Sequence, residues 1–154
     1  MKVILPGSYD PVTLGHLEVI EEAARTYDEV FVVAFINPTK KYRFSVDERV
    51  KMLILATDHL ENVIVSYSPG LVVDYMREHD IELIVKGYRN ESDLEYEKIQ
   101  ADFNEKHGGY ETRLIKCRTE MEGVSSTAAR EAIDSGVCLD KILPKPVVEF
   151  LKRH

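Results

Sequence analysis

The chain has 154 residues, 44% of them apolar and 31% charged, and this size and balance predict one globular domain over residues 1–154. With 27 acidic and 20 basic residues its net charge is -7, which argues against polynucleotide binding, because a protein that neutralises many phosphates is usually basic. Its longest apolar runs, such as Val30 to Ile36, are far shorter than the roughly 20 residues that a membrane span requires, so we expect no membrane partner.

Two further features bear on location and metal content. The first residues reach Pro6-Gly7 at once and leave no room for the apolar core and cleavage site of a signal peptide, so we expect a cytoplasmic protein. Cys117 and Cys138 lie in unlike contexts without a His or Cys at ligand spacing. We interpret both as reduced packing residues and expect no metal held by the protein itself.

Short β-branched runs alternate with amphipathic stretches along the whole chain, which is typical of a parallel sheet with helices on its faces. We therefore predict an α/β fold with a doubly wound, five-stranded parallel sheet. The predicted strands are Lys2 to Leu5, Val30 to Ile36, Val63 to Tyr67, Glu82 to Val85 and Thr112 to Lys116.

Capping signals mark the starts of three helices between these strands. Ser45 with Glu48 three residues later forms a capping box, in which each residue bonds the backbone N–H of the other. Ser68-Pro69 indicates an N-cap followed by proline at the first helical position. Ser92 with Glu95 repeats the capping box.

Apolar spacing and terminal glycines define the remaining helix boundaries. A first helix covers about Leu14 to Tyr27, with apolar residues three and four positions apart. The helix that follows the fourth strand ends at Gly108-Gly109. Two more are predicted from about Ser126 to Asp134, stopping near Gly136, and from Pro146 to His154.

Ligands of an open parallel sheet bind at the carboxyl ends of its strands, near the point where the strand order reverses. We therefore expect the functional residues in the segments that follow the predicted strands. These segments are Pro6 to His16, Asn37 to Phe44, Ser68 to Leu71, Lys86 to Arg89 and Cys117 to Thr127.

The first of these segments has the features of a phosphate-binding loop. Gly7 and Gly15 leave room for a phosphate to approach the backbone, and the following helix offers unpaired N–H donors at its start. His16 would then lie beside the bound anion. Taken alone, the segment has a plainer interpretation, a turn shaped by two glycines and a surface histidine.

Three motifs resemble those of a known family. Gly7-Ser8-Tyr9-Asp10-Pro11 followed by Gly15-His16 resembles the G-T-F-D-x-x-x-x-G-H signature of the nucleotidylyltransferase superfamily. Lys86-Gly87-Tyr88-Arg89 with Asp93-Leu94-Glu95-Tyr96-Glu97 resembles the R-G-(L/I)-R-x-x-x-D-F-E-Y-E stretch of phosphopantetheine adenylyltransferases. Val124-Ser125-Ser126-Thr127 with Arg130 is similar to their I-S-S-(S/T) motif. The resemblance runs from Lys2 to about Ile133 and implies a Rossmann-like nucleotidyltransferase fold.

The resemblance also implies an activity. Members of that family transfer AMP from ATP to 4'-phosphopantetheine, which gives dephospho-coenzyme A and pyrophosphate without a covalent intermediate. It implies a homohexamer and a Mg2+ ion that enters with ATP. The residues implied to bind ATP are Ser8, Tyr9, His16, Gly87, Tyr88, Arg89, Glu97, Met121, Glu122, Gly123, Val124, Ser125, Ser126 and Thr127. Those implied to bind the acceptor are Ser8, Lys40, Val72 and Lys86.

The chemistry of this transfer indicates which residue types it needs. Because the nucleophile is already a phosphate anion, the protein has to align it with the α-phosphate and stabilise the charge of the transition state. His16 and Lys40 are the predicted catalytic residues, acting as preorganised donors. Without the resemblance, Lys40 and Lys41 would be a solvated basic loop.

Two departures from the family pattern leave alternatives open. Lys86 replaces an arginine, which keeps the charge but loses bidentate geometry. Met121-Glu122-Gly123-Val124 replaces an aromatic residue and x-F-I, and Arg118-Thr119-Glu120 resembles the R-T-x-G-I-S-T motif of cytidylyltransferases. The alternatives are a nucleotidylyltransferase that acts on nicotinate or nicotinamide mononucleotide or forms a CDP-alcohol, and a nucleotide-binding module without turnover.

Overall fold

Five parallel strands form one sheet, so the predicted α/β fold with a parallel sheet is confirmed. The structure, a computed structural model of the protein, describes residues 1–153, with Thr119 described by its backbone alone. The predicted helix end at His154 lies outside the described residues. The strands are β1 (Lys2–Gly7), β2 (Glu29–Phe35), β3 (Val63–Ser68), β4 (Leu83–Tyr88) and β5 (Glu111–Lys116).

The strand order is β3-β2-β1-β4-β5, with β1 at the centre. The chain moves outward from β1 through β2 to β3, then returns to the other side of β1 as β4. The order therefore reverses between β1 and β4, and a ligand crevice is expected at their carboxyl ends. Val3 and Ile4 of β1 and Val30 of β2 are fully buried, because central strands of such a sheet are covered on both faces.

Helices cover both faces of the sheet. Ile20, Leu53 and Val147 belong to the core on one face, whereas Met76 packs with Ile84 on the other. None of the helices within residues 1–153 has the length and apolarity needed to cross a membrane. The helices are α1 (Leu14–Thr26), α2 (Val46–Thr57), α3 (Val72–Glu78), α4 (Glu91–Gly108), α5 (Ser126–Ser135) and α6 (Lys145–Arg153), with a 3-10 turn over Thr119–Met121.

The capping predictions have mixed outcomes. The box of Ser45 and Glu48 at the start of α2 is confirmed by bonds in both directions. The box predicted at Ser92 is wrong, because the side chain of Asn90 accepts the N–H of Asp93 at 3.0 Å and α4 begins at Glu91.

The cap predicted at Ser68-Pro69 is also wrong. Ser68 is the last residue of β3, and its carbonyl accepts the N–H of Ile36, so the chain is still extended at this point. Helix α3 begins at Val72, and its N-cap residue is Leu71, whose apolar side chain offers no acceptor to the first turn. The glycine stops are confirmed, since Gly109 and Gly136 follow α4 and α5 in the left-handed conformation that glycine adopts easily.

Two further expectations need correction. Strand β4 continues past Val85 through Tyr88, so Lys86 and Gly87 lie in the sheet and pair with Leu114 and Ile115 of β5. Both cysteines are free thiols, but only Cys117 is buried. Cys138 is exposed, so its interpretation as a packing residue is wrong.

The capping correction can be tested on stability. Asn90→Ala should lower the free energy of unfolding by about 1 kcal/mol, because it removes the side-chain acceptor of an N-cap. Ser92→Ala is the matched control, and it should change stability by less than about 0.5 kcal/mol, as expected of an exposed position away from special contacts. Urea denaturation followed by circular dichroism measures both, and the reverse order would restore Ser92 as the cap.

Candidate active site

A cavity of about 460 Å³ opens at the carboxyl ends of β1 and β4, where the strand order reverses. The loop after β1, the first turn of α1, the end of β4 and the start of α5 form its walls. Residues from all three motifs line it, so the structure brings together segments that are far apart in sequence. The predicted site residues in the lining are Ser8, Tyr9, His16, Lys40, Lys86, Gly87, Arg89, Glu97, Val124, Ser125, Ser126 and Thr127.

The loop after β1 is shaped by Tyr9 and Gly7. Tyr9 has a φ of 50°, and its hydroxyl donates to the carbonyl of Leu5 at 2.9 Å, which turns the ring back over the strand end. A Cβ at Gly7 would lie 3.1 Å from that ring, so any larger residue would require the ring to shift by a few tenths of an ångström. The ring of Tyr9 also meets His16 edge-on, with centroids 4.9 Å apart.

His16 is held by the first turn of its own helix. The backbone N–H of Thr13 donates to His16 Nδ1 at 3.0 Å, and the N–H of His16 points back to the hydroxyl of Thr13 at 3.3 Å. Since Nδ1 accepts a hydrogen bond, the proton of the neutral ring is on Nε2. Burial, aided by the charges of Lys86 and Arg89, lowers the pKa of His16 to about 3. His16 is therefore a neutral Nε2–H donor, and not an imidazolium.

Lys40 reaches the cavity from the loop after β2. Its Nζ donates to Ser8 Oγ at 3.1 Å, which joins this loop to the one after β1. The loop is stabilised within itself, because the side chain of Asn37 accepts bonds from the N–H and hydroxyl of Thr39. The predicted acceptor-binding pair of Lys40 and Ser8 is thus in contact, although the lysine is exposed.

Lys86 and Glu97 form a pair at the floor of the cavity. Lys86 Nζ donates to the carbonyl of Pro6 at 3.1 Å and lies 3.6 Å from Glu97 Oε1. Within α4, whose residues are all described, Glu97 alone is buried. Burial raises the pKa of Glu97, and the neighbouring charge of Lys86 partly offsets this. Glu97 was predicted as an ATP ligand. In the structure its carboxylate faces Lys86, the residue that stands where the family pattern has an arginine.

Arg89 is oriented by the first turn of α4. Its Nε lies 2.9 Å from Asp93 Oδ2 and its Nη2 donates to Oδ1 at 3.2 Å, a two-point contact of guanidinium and carboxylate. Its Nη1 reaches the carbonyl of Glu122 at 3.4 Å. Arg89 therefore contacts the backbone carbonyl of Glu122 and not its carboxylate.

The start of α5 closes the other side of the cavity. Ser125 caps the helix by accepting the N–H of Ala128 at 3.0 Å, and Ser126 Oγ donates to the carbonyl of Pro11 at 2.8 Å. Arg130 donates to the carbonyl of Asp10 at 2.8 Å and to Thr127 Oγ1 at 3.1 Å. The helix start is thereby fixed against the loop after β1, with its N–H groups available to an anion.

Some predicted site residues lie outside the cavity lining. They are Val72, Tyr88, Met121, Glu122 and Gly123. Tyr88 belongs to β4 one position beyond Gly87, and neighbouring residues of a strand face opposite sides of the sheet. The ligand roles of these and of the lining residues stay predictions.

The sequence interpretation gave no role to three residues that shape the site, namely Asp10, Arg49 and Arg130. Asp10 and Arg130 lie inside the quoted motifs, so the signal was present. Arg49 is the largest of the fully buried side chains and donates to the carbonyl of Ser8 at 2.9 Å. The sequence could have indicated its burial, because Arg49 lies three and four residues before the buried Met52 and Leu53, on the same face of the helix.

The charges in the cavity define a class of protein. Lys40, Lys86, Arg89 and Arg130 line it, against the two carboxylates of Asp93 and Glu97. Cations and a helix start at the switch point of a parallel sheet are the features of an α/β protein with a site suited to phosphate groups.

Sequence comparison gives the family. The chain belongs to the cytidylyltransferase-like family, which matches residues 4–132. A "Phosphopantetheine adenylyltransferase" of Clostridium novyi (strain NT) is 38% identical over 147 residues, which cover 95% of this chain and 91% of that protein. Another protein of this name, from Symbiobacterium thermophilum, is 43% identical over 145 residues, or 94% of this chain and 90% of the relative. The recognition made from the motifs is confirmed.

The role of His16 can be tested by removing its donor. We expect His16→Ala to lower kcat by on the order of 100-fold, because a preorganised donor to transition-state charge is lost. Stability should fall by no more than about 1 kcal/mol, since only part of the N-cap is removed. His16→Gln keeps an N–H donor and should retain more activity than His16→Ala. Steady-state kinetics and urea unfolding measure both effects.

The pH profile provides the control for this assignment. With a pKa near 3, His16 stays neutral throughout the range in which free histidine titrates, so kcat/KM should not fall with a midpoint near pH 6.5 as the pH rises. The phosphate of the acceptor titrates at about pH 6, and its effect on kcat/KM should be the same in the native protein and in His16→Gln. If an imidazolium were required, kcat/KM would fall as the pH rises through its pKa. A fall of that kind in the native protein, absent in His16→Gln, would contradict the neutral donor.

Proposed function

We propose that the chain transfers the adenylyl group of ATP to 4'-phosphopantetheine and releases dephospho-coenzyme A and pyrophosphate. The observation that carries the proposal is one cavity in which His16, Lys40, Lys86 and Arg89 converge from three separate segments. The proposal is supported by the resemblance of these segments to one branch of the superfamily, the phosphopantetheine adenylyltransferases. Both relatives described above carry the name of that activity.

The reaction needs alignment and charge stabilisation, and no base. An oxygen of the acceptor phosphate attacks the α-phosphorus of ATP and forms a new P–O bond. The bond from the α-phosphorus to the oxygen that bridges to the β-phosphate breaks, and pyrophosphate leaves with that oxygen. The Nε2–H of His16 donates to an α-phosphate oxygen on which negative charge grows, and Lys40 with Ser8 holds the acceptor phosphate in line.

A Mg2+ ion is proposed to enter with ATP. The carboxylates of the cavity lining are already paired, Asp93 with Arg89 and Glu97 with Lys86. Residues 1–153 hold no group of three or more His, Cys, Asp or Glu side chains placed to bind a metal. These donors fit an ion that is held mainly by phosphate oxygens and water, where it would neutralise charge on the triphosphate.

A homohexamer is part of the proposal, as is a cytoplasmic location. Support for self-association comes from α4, where Tyr96, Ile99 and Phe103 are exposed by 60%, 65% and 45%. Their spacing of three and four residues places them on one face of the helix. An exposed apolar stripe of this kind favours contact with another protein surface.

The identity of the reaction can be tested by a matrix of substrates. The purified protein, given ATP and Mg2+, should release pyrophosphate with 4'-phosphopantetheine and form a product with the mass of dephospho-coenzyme A. Nicotinate mononucleotide, nicotinamide mononucleotide and glycerol 3-phosphate should be poor acceptors, because a site built for a long arm leaves their polar groups unpaired. CTP should replace ATP poorly.

Two outcomes of this matrix would overturn the proposal. Turnover with CTP and glycerol 3-phosphate, but not with phosphopantetheine, would make the protein a cytidylyltransferase. ATP binding without release of pyrophosphate from any acceptor would make it a nucleotide-binding module. Calorimetry of ATP binding separates that second outcome from a misfolded preparation.

The role of Lys86 can be tested by restoring arginine. We expect Lys86→Arg to lower the KM for 4'-phosphopantetheine by a few-fold, because a guanidinium fork grips a phosphate at two points. The KM for ATP should change little, and Lys86→Ala should raise the KM for the acceptor. Equal changes in the KM values of both substrates would show that the assignment of Lys86 to the acceptor is wrong. Glu97→Gln is the companion variant, since it removes the carboxylate that faces Lys86.

A further inference from the structure

Arg49 is a buried cation beside the active site that does not line the cavity. It lies in the first turn of α2 with 2% of its surface exposed. Within the described residues its guanidinium has no carboxylate partner, and its Nε is buried without a hydrogen-bond acceptor. Placing a charge in the interior without a counter-ion is costly for folding. Packing alone therefore does not account for an arginine at this position.

The two contacts of Arg49 join the loops that hold the reactive groups. Its Nη1 donates to the carbonyl of Ser8 in the loop after β1, at 2.9 Å. Its guanidinium stacks on the ring of Tyr42, with 3.9 Å from Cζ to the ring centroid. Tyr42 belongs to the segment that carries Lys40, and its hydroxyl accepts the backbone N–H of Asn37 at 2.8 Å.

The stacked arginine thus adds a second buried link between these two loops, beside the bonds that Asp10 accepts from the backbone N–H groups of Arg43 and Phe44. Lys40 and Ser8 also touch at the surface of the site, but that contact depends on the exposed, flexible side chain of Lys40. A lysine side chain has several rotatable bonds and does not set the position of a backbone by itself. A planar guanidinium confined by packing and a hydrogen bond loses little freedom when the substrates bind, so it can preorganise the pair above it.

We propose that Arg49 is a positioning residue of the transfer reaction, which aligns Ser8 and Lys40 through the Ser8 carbonyl and the Tyr42 ring and touches neither substrate. The proposal rests on the proposed function for its kinetic consequences. The effect of Arg49 on the loop that carries Lys40 is independent of the proposed function, because it can be measured without turnover.

The test is Arg49→Met, which keeps length and apolar packing and removes the charge and the planar fork. We expect kcat to fall at least 10-fold with a smaller change in either KM, because alignment is lost while the substrate contacts remain. The melting temperature should stay equal or rise, since an unpaired buried charge is removed. Arg49→Lys should recover part of kcat, because an ammonium can reach the Ser8 carbonyl but cannot stack as a plane.

Leu53→Val is the matched control, one turn along the same helix at a fully buried position. It should lower the melting temperature and leave kcat within about twofold, as expected of a core change remote from the chemistry. Limited trypsin digestion with mass spectrometry gives the readout that is independent of turnover. Cleavage after Lys40 or Lys41, both exposed, should be several-fold faster in Arg49→Met than in the native protein or in Leu53→Val.

The outcomes are decisive in either direction. If the kcat of Arg49→Met is within twofold of the native value, Arg49 has a purely structural role. The same conclusion holds if its loss of kcat is explained by a lower melting temperature, as in a core variant. If Arg49→Met fails to fold, Arg49→Lys carries the test, and native kcat with native cleavage at the loop would overturn the proposal. If the native protein shows no turnover, the proposed function fails, and faster cleavage of the Lys40 loop still supports the positioning role.

Discussion

The site depends on one buried carboxylate, that of Asp10. It accepts the backbone N–H of Arg43 at 2.8 Å and of Phe44 at 2.9 Å, and Arg130 lies 3.9 Å from it. Its side chain is 3% exposed, so leaving these lone pairs without donors would cost about 1–3 kcal/mol each. The loops after β1 and β2 and the start of α5 are therefore one unit. Arg130 completes the unit by donating to the carbonyl of Asp10.

The reversal of strand order explains why cations gather there in a protein whose net charge is -7. Because β4 returns beside β1, Lys86 lies against the carbonyl of Pro6, and Arg89, which follows β4, reaches the carbonyl of Glu122. Few backbone groups are paired where the two strands diverge, and this leaves N–H donors for phosphate oxygens. A few charges at short range outweigh a screened net charge, so the acidic surface does not prevent binding of an anion.

The sequence predicted the parallel sheet, the start of α2 and the meeting of the three motifs, because each depends on local periodicity or on a motif of many residues. It failed where two nearby residues compete for one role. Ser92 and Asn90 can both cap α4, and the contact of Asp93 with Arg89 favours a start at Glu91. The prediction of the end of β4 also failed, because tertiary contacts determine it. Lys86 follows an apolar run, and nothing local indicates that the strand continues to pair with β5 beyond Val85. Arg49 was given no role, because nothing local shows that an arginine in an apolar stripe is buried against two loops.

Burial is the main reason that His16 is neutral, and the same gathering of cations adds to it. Because the ring is desolvated, and because Lys86 and Arg89 oppose a further positive charge, it donates a hydrogen bond without carrying charge. In the proposed reaction, Lys86, Arg89 and Arg130 would attract the phosphates in the ground state and in the transition state alike, and uniform binding of this kind does not raise kcat. In that reaction, a donor fixed by its Nδ1 contact to Thr13 would act differently, because its bond to an α-phosphate oxygen would strengthen as charge develops there. The division of labour between fixed cations and one oriented neutral donor is thus set by the first turn of α1.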